Sequence, residues 1–124
     1  MVSDRAAMEL LKALEPDIAF AQKKYQSGIE FLFMGLQKDP YRLERWSAFG
    51  DRLIQTKEYK IMKKVFEQGI SVYPHPVVYY YLGIAYRELG ETAHRDQIYH
   101  YLKKFSDSAI LCFISLMSIK ERES

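Results

Sequence analysis

Two stretches of the chain repeat one pattern, WSAFGDRL at residues 46–53 and YYYLGIAY at residues 79–86. In each, an aromatic residue is followed three positions later by an apolar residue and then directly by a glycine, Gly50 or Gly83. The two stretches start 33 residues apart. Spacings of three and four residues are typical of an amphipathic helix, and a fixed offset of this size indicates an internal repeat.

The correspondence extends beyond these two stretches. Phe66 matches Tyr99 at the same offset, and residues 35–40 (GLQKDP) match residues 69–74 (GISVYP) at an offset of 34. Because proline lacks a backbone N–H and clashes with the preceding turn, it ends a helix. The sequence therefore predicts that one helix ending is used twice, before Pro40 and before Pro74.

Helical spacing dominates the rest of the chain, and alternation typical of strands is weak. We expect a first helix capped by Ser3 or Asp4, with Pro16 ending or restarting it. The other predicted helical stretches are residues 17–38, 43–55, 58–72, 76–89, 92–105 and 108–120. The sequence thus predicts an all-α fold.

Paired helices with an aromatic-x-x-apolar-glycine motif in the first helix and a proline after the second resemble the tetratricopeptide repeat. The resemblance implies a right-handed superhelix of about three helix pairs plus a C-terminal capping helix. We divide a single domain into a degenerate first repeat (1–40), a second repeat (41–74), a third repeat (75–107), and a capping helix with tail (108–124). Three positions depart from the family pattern, since Met62, Arg95 and Leu102 stand where small residues are expected.

The composition narrows the class of protein. The 124 residues carry 18 Lys and Arg against 16 Asp and Glu, a net charge of +2, which gives no support to nucleic-acid binding. The single cysteine excludes an intrachain disulfide framework. The N-terminus does not read as a signal peptide, and the longest apolar run, residues 109–119, falls short of the ~20 residues that span a bilayer. We therefore expect a cytoplasmic protein that is not inserted in a membrane.

Residues that could carry enzymatic chemistry are scattered. His94 and His100 are six positions apart, which does not place them on one helix face for a metal. Cys112 stands in an apolar stretch predicted to be helical, and no sequence neighbour would lower its pKa, so an inert buried thiol is expected. No phosphate-binding loop follows Gly83 or Gly90. The sequence predicts no catalytic residues, no metal and no cofactor, and so a protein that is not an enzyme.

A partner is expected on the first helix of each pair, which lines the concave side of a repeat array. Tyr80 and Ile84 would supply an apolar end suited to an amphipathic helix, but packing in the core is an equally good account of both. Glu44 and Asp51 would supply a polar end. The complete predicted groove consists of Glu44, Ser47, Asp51, Ile54, Val77, Tyr80, Ile84 and Arg87.

Tetratricopeptide co-chaperones that hold an acidic C-terminus use Lys, Asn and Arg at groove positions. This chain has Ser47, Asp51, Tyr80 and Ile84 there instead. A carboxylate clamp is therefore disfavoured, because Asp51 would repel the ligand.

A narrower resemblance concerns length and the order of elements. Residues 86–95 (YRELGETAHR), followed by a helix, a Ser-Asp break and a last helix ending in Lys-Glu-Arg, are similar in layout to the end of the type III secretion chaperones of needle subunits. The resemblance implies a protein-binding chaperone that sequesters an amphipathic helix of a needle subunit before export, with a second small helical co-chaperone over the first repeat. The alternative is a general tetratricopeptide adaptor in another assembly.

Overall fold

The computed structural model describes residues 3–25 and 28–104. Within these ranges the chain forms helices and no strands, so the prediction of an all-α fold is confirmed. The helices are α1 (Asp4–Lys12), α2 (Glu15–Tyr25), α3 (Ile29–Lys38), α4 (Leu43–Thr56), α5 (Tyr59–Val72), α6 (Pro76–Glu88) and α7 (Thr92–Leu102). The capping helix predicted at residues 108–120 lies outside the described residues.

The helix ends follow local chemistry. Ser3 caps α1, its hydroxyl oxygen accepting from the backbone N–H of Ala6 at 3.2 Å. His75, which sequence alone places in a linker, caps α6 by accepting from the N–H of Val77 at 3.1 Å. Pro76 opens α6, where its missing N–H and fixed φ suit a first turn. Pro16 is the second residue of α2, so of the two predicted roles for this proline, ending or restarting a helix, it has the second.

The stretch predicted as one helix over residues 17–38 is two. Gly28 takes a φ of 78° between α2 and α3, a left-handed conformation that glycine adopts without steric penalty. The prediction of one continuous stretch is therefore wrong. Apolar spacing continues across the break, so periodicity alone does not reveal it.

The core contains a chain of large rings that fill the space between helices. Trp46 of α4 meets Phe66 of α5 edge-on, with ring centroids 5.4 Å apart, and Phe66 meets Tyr81 of α6 at 5.4 Å. All three side chains are fully buried. Dispersion contacts among buried aromatic rings contribute beyond their burial from water. These rings thus join three successive helices.

The two repeated glycines serve different neighbours. A Cβ on Gly83 would lie 2.8 Å from the ring of Tyr99 in α7, so this glycine allows the next helix along the chain to approach closely. A Cβ on Gly50 would lie 2.6 Å from the ring of Tyr81 in α6. Gly50 therefore makes room for α6 and not for α5, the next helix along the chain.

The first two helices of the chain are connected to α5 near the middle of the described sequence. α1 contacts α3 and α5, and Tyr41 donates from its hydroxyl to Asp4 at 2.5 Å. At the start of α2, Asp17 forms an ion pair with Lys64 of α5 at 3.3 Å. The side of α1 that carries Ala7 and Leu11 is buried, whereas Met8 remains exposed.

Candidate partner-binding surface

The predicted groove separates into a buried part and an accessible part. Val77, Tyr80 and Ile84 are 3%, 1% and 1% exposed and belong to the hydrophobic core. The reason is that α6 packs against α4, α5 and α7, which leaves this side of the helix covered. Of the two accounts of Tyr80 and Ile84, groove lining and core packing, the structure supports core packing. The prediction that Val77, Tyr80 and Ile84 line a groove is therefore corrected.

Tyr80 illustrates the packing. Its ring lies 6.1 Å from the ring of Tyr81 and 6.5 Å from the ring of Tyr99, measured between centroids. Tyr79, the preceding residue on the same helix, lies 4.4 Å from Tyr101 of α7 between ring centroids, with the two rings tilted by 37°. Tyr79 and Tyr80 therefore contribute to the junction between α6 and α7.

Asp51 is already engaged within the chain. The hydroxyl of Tyr81 donates to Asp51 Oδ1 at 2.6 Å, which links α6 to α4. Burial, and after it the hydrogen bond to Asp51, raises the pKa of the Tyr81 hydroxyl above its ordinary value of 10.0. Tyr81 is thus held as a neutral donor, and Asp51 has a structural partner in addition to its exposure to water.

The other residues of the predicted groove are partly or fully accessible. Glu44 is exposed, while Ser47 and Ile54 are half-buried on the same helix. Arg87 is half-buried and forms an ion pair with Glu88 at 2.6 Å. Their contact with a partner stays a prediction.

The large apolar side chains exposed in the described residues all precede α4. They are Met8 (67% exposed), Phe20 (70%), Phe31 (77%) and Met34 (59%). Three of these line one cleft of about 800 Å³ between α1, α3 and α4. We call it the N-terminal cleft and define it by Met8, Lys12, Phe31, Met34, Lys38 and Glu44.

The walls of the N-terminal cleft are fixed by polar contacts. Arg45 Nη1 donates to the carbonyl oxygen of Gly35 at 2.7 Å, close to the C-terminal end of α3, where a cation is favoured by the helix dipole. Gln37 donates to Glu15 at 2.8 Å. The cleft is thus a formed concavity whose apolar side chains project from secured helices.

The rim of the N-terminal cleft carries both signs of charge. Lys12 ends α1, Lys38 ends α3, and Glu44 stands in the first turn of α4; all three are exposed. An apolar centre with a charged rim is the usual anatomy of a protein interface.

Sequence reasoning missed this surface, although α3 held a signal. Its sequence, IEFLFMGLQK, contains more apolar residues than one buried face requires. The core takes Ile29, Phe33 and Leu36, which leaves Phe31 and Met34, one turn apart, on the outside. An excess of apolar residues around a short helix is the pattern that identifies a second, exposed apolar face.

Within residues 3–25 and 28–104, no three His, Cys, Asp or Glu residues come together as metal ligands, and no helix has the length and apolar character needed to traverse a bilayer. His94 lies against the ring of Tyr86 at 5.1 Å, with its Nδ1 3.7 Å from Glu91. Comparisons of the chain with models of known families, with curated proteins and with solved structures find no match.

Proposed function

We propose that the chain is a non-enzymatic, protein-binding chaperone that sequesters the apolar face of an amphipathic helix belonging to a small partner. The observation that carries the proposal is the N-terminal cleft, where Phe31, Met34 and Met8 are exposed around one concavity. Contiguous apolar surface on a folded chain marks a binding site more often than scattered apolar residues do.

The chemistry of the N-terminal cleft suits a helix. Anchors on one face of a helix recur at i, i+3, i+4 and i+7, and an elongated apolar cleft accepts them. Phe31 offers a large rigid surface, and the unbranched thioether side chains of Met8 and Met34 adapt to the shape of what they contact. A volume of about 800 Å³ admits several such anchors.

The charges on the rim define the partner further. Lys12 and Lys38 favour carboxylates beside the apolar face of the bound helix, and Glu44 favours a basic residue on its other edge. Glu44 therefore keeps the partner-binding role that the sequence predicted for it, now beside α3 rather than beside α6.

We propose a tetratricopeptide-like architecture as the frame for this site, a single domain of three repeats and a C-terminal cap wound into a right-handed superhelix. The support is that an aromatic ring lies at the helix contact within each of the pairs α4–α5 and α6–α7. Trp46 contacts Phe66 within the first of these pairs, and Tyr99 packs close to Gly83 within the second.

The setting we propose is the bacterial cytosol, with a type III secretion needle subunit as the bound partner and a second small helical co-chaperone. The support is the resemblance of residues 86–95 and the layout that follows them. Sequestration makes physical sense because a subunit with self-complementary surfaces otherwise forms open filaments. A general adaptor in another assembly is the second candidate, favoured by the mixed charges of the rim, which are not specific to one partner.

The test is co-expression of the chain with the small proteins encoded beside it, followed by purification of complexes. Phe31→Asp and Met34→Asp are expected to abolish capture of a helical partner while helicity is retained, because both side chains are exposed. Phe20→Asp is the matched control, since Phe20 is equally exposed but is not among the residues that line the cleft.

The possible outcomes separate the candidates. Capture of a needle-like subunit that depends on Phe31 supports the chaperone. Capture of a partner unrelated to secretion favours the adaptor. Capture that survives Phe31→Asp and Met34→Asp rules out the N-terminal cleft as the binding site.

A further inference from the structure

In the N-terminal cleft, an exposed aromatic ring lies beside an apolar concavity. Phe31 is 77% exposed and stands on the same wall, α3, as Met34, while the concavity it borders holds about 800 Å³. A surface with a protruding ring next to an apolar hollow is self-complementary when a twofold axis brings two copies together, because each ring then enters the hollow of the other. We propose that a second copy of this chain occupies the N-terminal cleft until a partner displaces it.

The charges of the rim agree with a second copy as the occupant. A twofold interface brings every rim charge of one copy near the rim of the other, so a rim of one sign would repel itself. This rim carries Lys12 and Lys38 as well as Glu44, all exposed. Opposite charges can therefore meet across the axis.

The exposed apolar area predicts a weak dimer. A buried aromatic ring contributes roughly 150–250 Å². Phe31 with Met8 and Met34 therefore removes on the order of 400 Å² of apolar surface per copy, or about 800 Å² for the two copies, which is below the ~1,200 Å² of stable interfaces and typical of weak, transient ones. We therefore expect a weak dimer with a dissociation constant in the micromolar range or above. A dimer of this strength protects the cleft and still yields to a tighter partner.

Self-association covers the apolar side chains of the N-terminal cleft while no partner is bound, and a bound helix then takes the place of the second copy. This displacement by a partner rests on the proposed function. The dimer itself is independent of that partner. It depends only on surfaces of this chain.

The first experiment is sedimentation equilibrium of the full chain from about 1 μM to about 1 mM, a range that brackets a micromolar dissociation constant. The weight-average mass is expected to rise from 14.6 kDa towards twice that value. Phe31→Ser is expected to weaken the dimer about 100-fold, because each substitution counts twice in a twofold interface. Phe20→Ser, which changes an equally exposed ring outside the cleft walls, is expected to leave it unchanged.

The second experiment locates the interface in the unaltered protein through ¹³C-labelled methionine methyl groups. With increasing concentration, the signals of Met8 and Met34 are expected to shift, while the signal of Met62, which is fully buried, stays in place. The proposed dimer is overturned if the chain stays monomeric throughout the concentration range. It is also overturned if the chain associates but Phe31→Ser weakens the association no more than Phe20→Ser does and the signals of Met8 and Met34 do not shift.

The same two measurements separate this inference from the proposed function. If the chain stays monomeric, and the signals of Met8 and Met34 shift when a purified helical partner is added, the dimer is refuted and the chaperone function is supported. If the chain forms a dimer that depends on Phe31 but captures none of the proteins encoded beside it, the proposed dimer is supported and the chaperone function is refuted.

Discussion

The N-terminal helices α1–α3 and the block α4–α7 use aromatic and apolar residues in opposite ways. In α4–α7 the large rings are buried against each other, as in the contacts of Trp46 with Phe66 and of Phe66 with Tyr81. In α1–α3 Phe20, Phe31 and Met34 project into solvent. The difference indicates that the rings of α4–α7 stabilise the fold, whereas the exposed side chains of α1–α3 form the surface to which we assign partner binding in the proposed function.

The sharpest test of this division compares the same substitution in the two regions. Phe66→Ala is expected to lower the free energy of unfolding by about 3–5 kcal/mol, because it removes a fully buried ring and leaves a cavity. Phe31→Ala is expected to change it by less than about 0.5 kcal/mol, because that ring is already in water. Urea unfolding of both variants measures the difference, and equal losses would contradict the division.

A smaller effect is expected from adding one methyl group at a close helix contact. Gly83→Ala places Cβ 2.8 Å from Tyr99 and 3.1 Å from Ile98, so overpacking is expected to cost about 1–3 kcal/mol, even though alanine favours a helix. Gly35→Ala meets the guanidinium of Arg45 at 2.7 Å, at the end of a long side chain that can shift. Because the shift perturbs the hydrogen bond of Arg45 to the Gly35 carbonyl oxygen while alanine favours the helix, the expected loss is about 1 kcal/mol or less. Thermal unfolding followed by circular dichroism compares the two, and a larger loss for Gly35→Ala would place the tighter packing in the N-terminal region.

Tyr81→Phe is expected to lower the free energy of unfolding by about 1–2 kcal/mol, because it removes the hydrogen bond that the Tyr81 hydroxyl donates to Asp51. Its pH dependence follows from the pKa of Tyr81, which burial and Asp51 raise above the unfolded value of 10.0. This contribution is complete below pH 10 and is lost as the pH rises above it, because only the unfolded chain then releases the proton. The slope is about 1.4 kcal/mol per pH unit.

Urea unfolding between pH 8 and about pH 11 measures that slope. Wild type is expected to lose stability faster above pH 10 than Tyr81→Phe, and the difference between the two isolates Tyr81 from the other tyrosines. Parallel curves would show that the hydroxyl is not held as a neutral donor.

The smallest effect is expected where the two regions meet at the surface. Lys64→Gln removes the ion pair with Asp17, whose side chains are 59% and 43% exposed, and is expected to cost about 0.5 kcal/mol or less. The measurement is chemical denaturation at low and at high salt. A loss above about 2 kcal/mol would show that α2 is held in place by this pair instead of by its packing on α3.

Sequence reasoning succeeded best in α4–α7. There the predicted starts and ends of α4, α5 and α6 agree with the structure to within one residue. Proline or glycine interrupts the pattern before α4, between α5 and α6 and after α6, and a polar turn at Lys57 separates α4 from α5. The left-handed turns at Lys57 and Gly90 fall where helix endings were predicted. Local chemistry determines these boundaries, so one sequence is enough to find them.

The errors arise where contacts between distant helices decide the outcome. The burial of Tyr80 and Ile84 depends on three neighbouring helices covering α6, which periodicity along one helix does not report. The exposure of Phe31 and Met34 depends on where α1 and α4 pack against α3. The break at Gly28 is a choice of backbone conformation that apolar spacing does not encode.

The enclosure of α6 by three other helices has a consequence for how the chain unfolds. Where helices stack on one another, stability comes both from each helix pair and from the interfaces between neighbouring pairs. Here Tyr81 of α6 contacts Phe66 of α5 and Asp51 of α4, so part of the stabilising energy lies between α6 and the two helices before it. We therefore expect α4–α7 to melt as one cooperative unit.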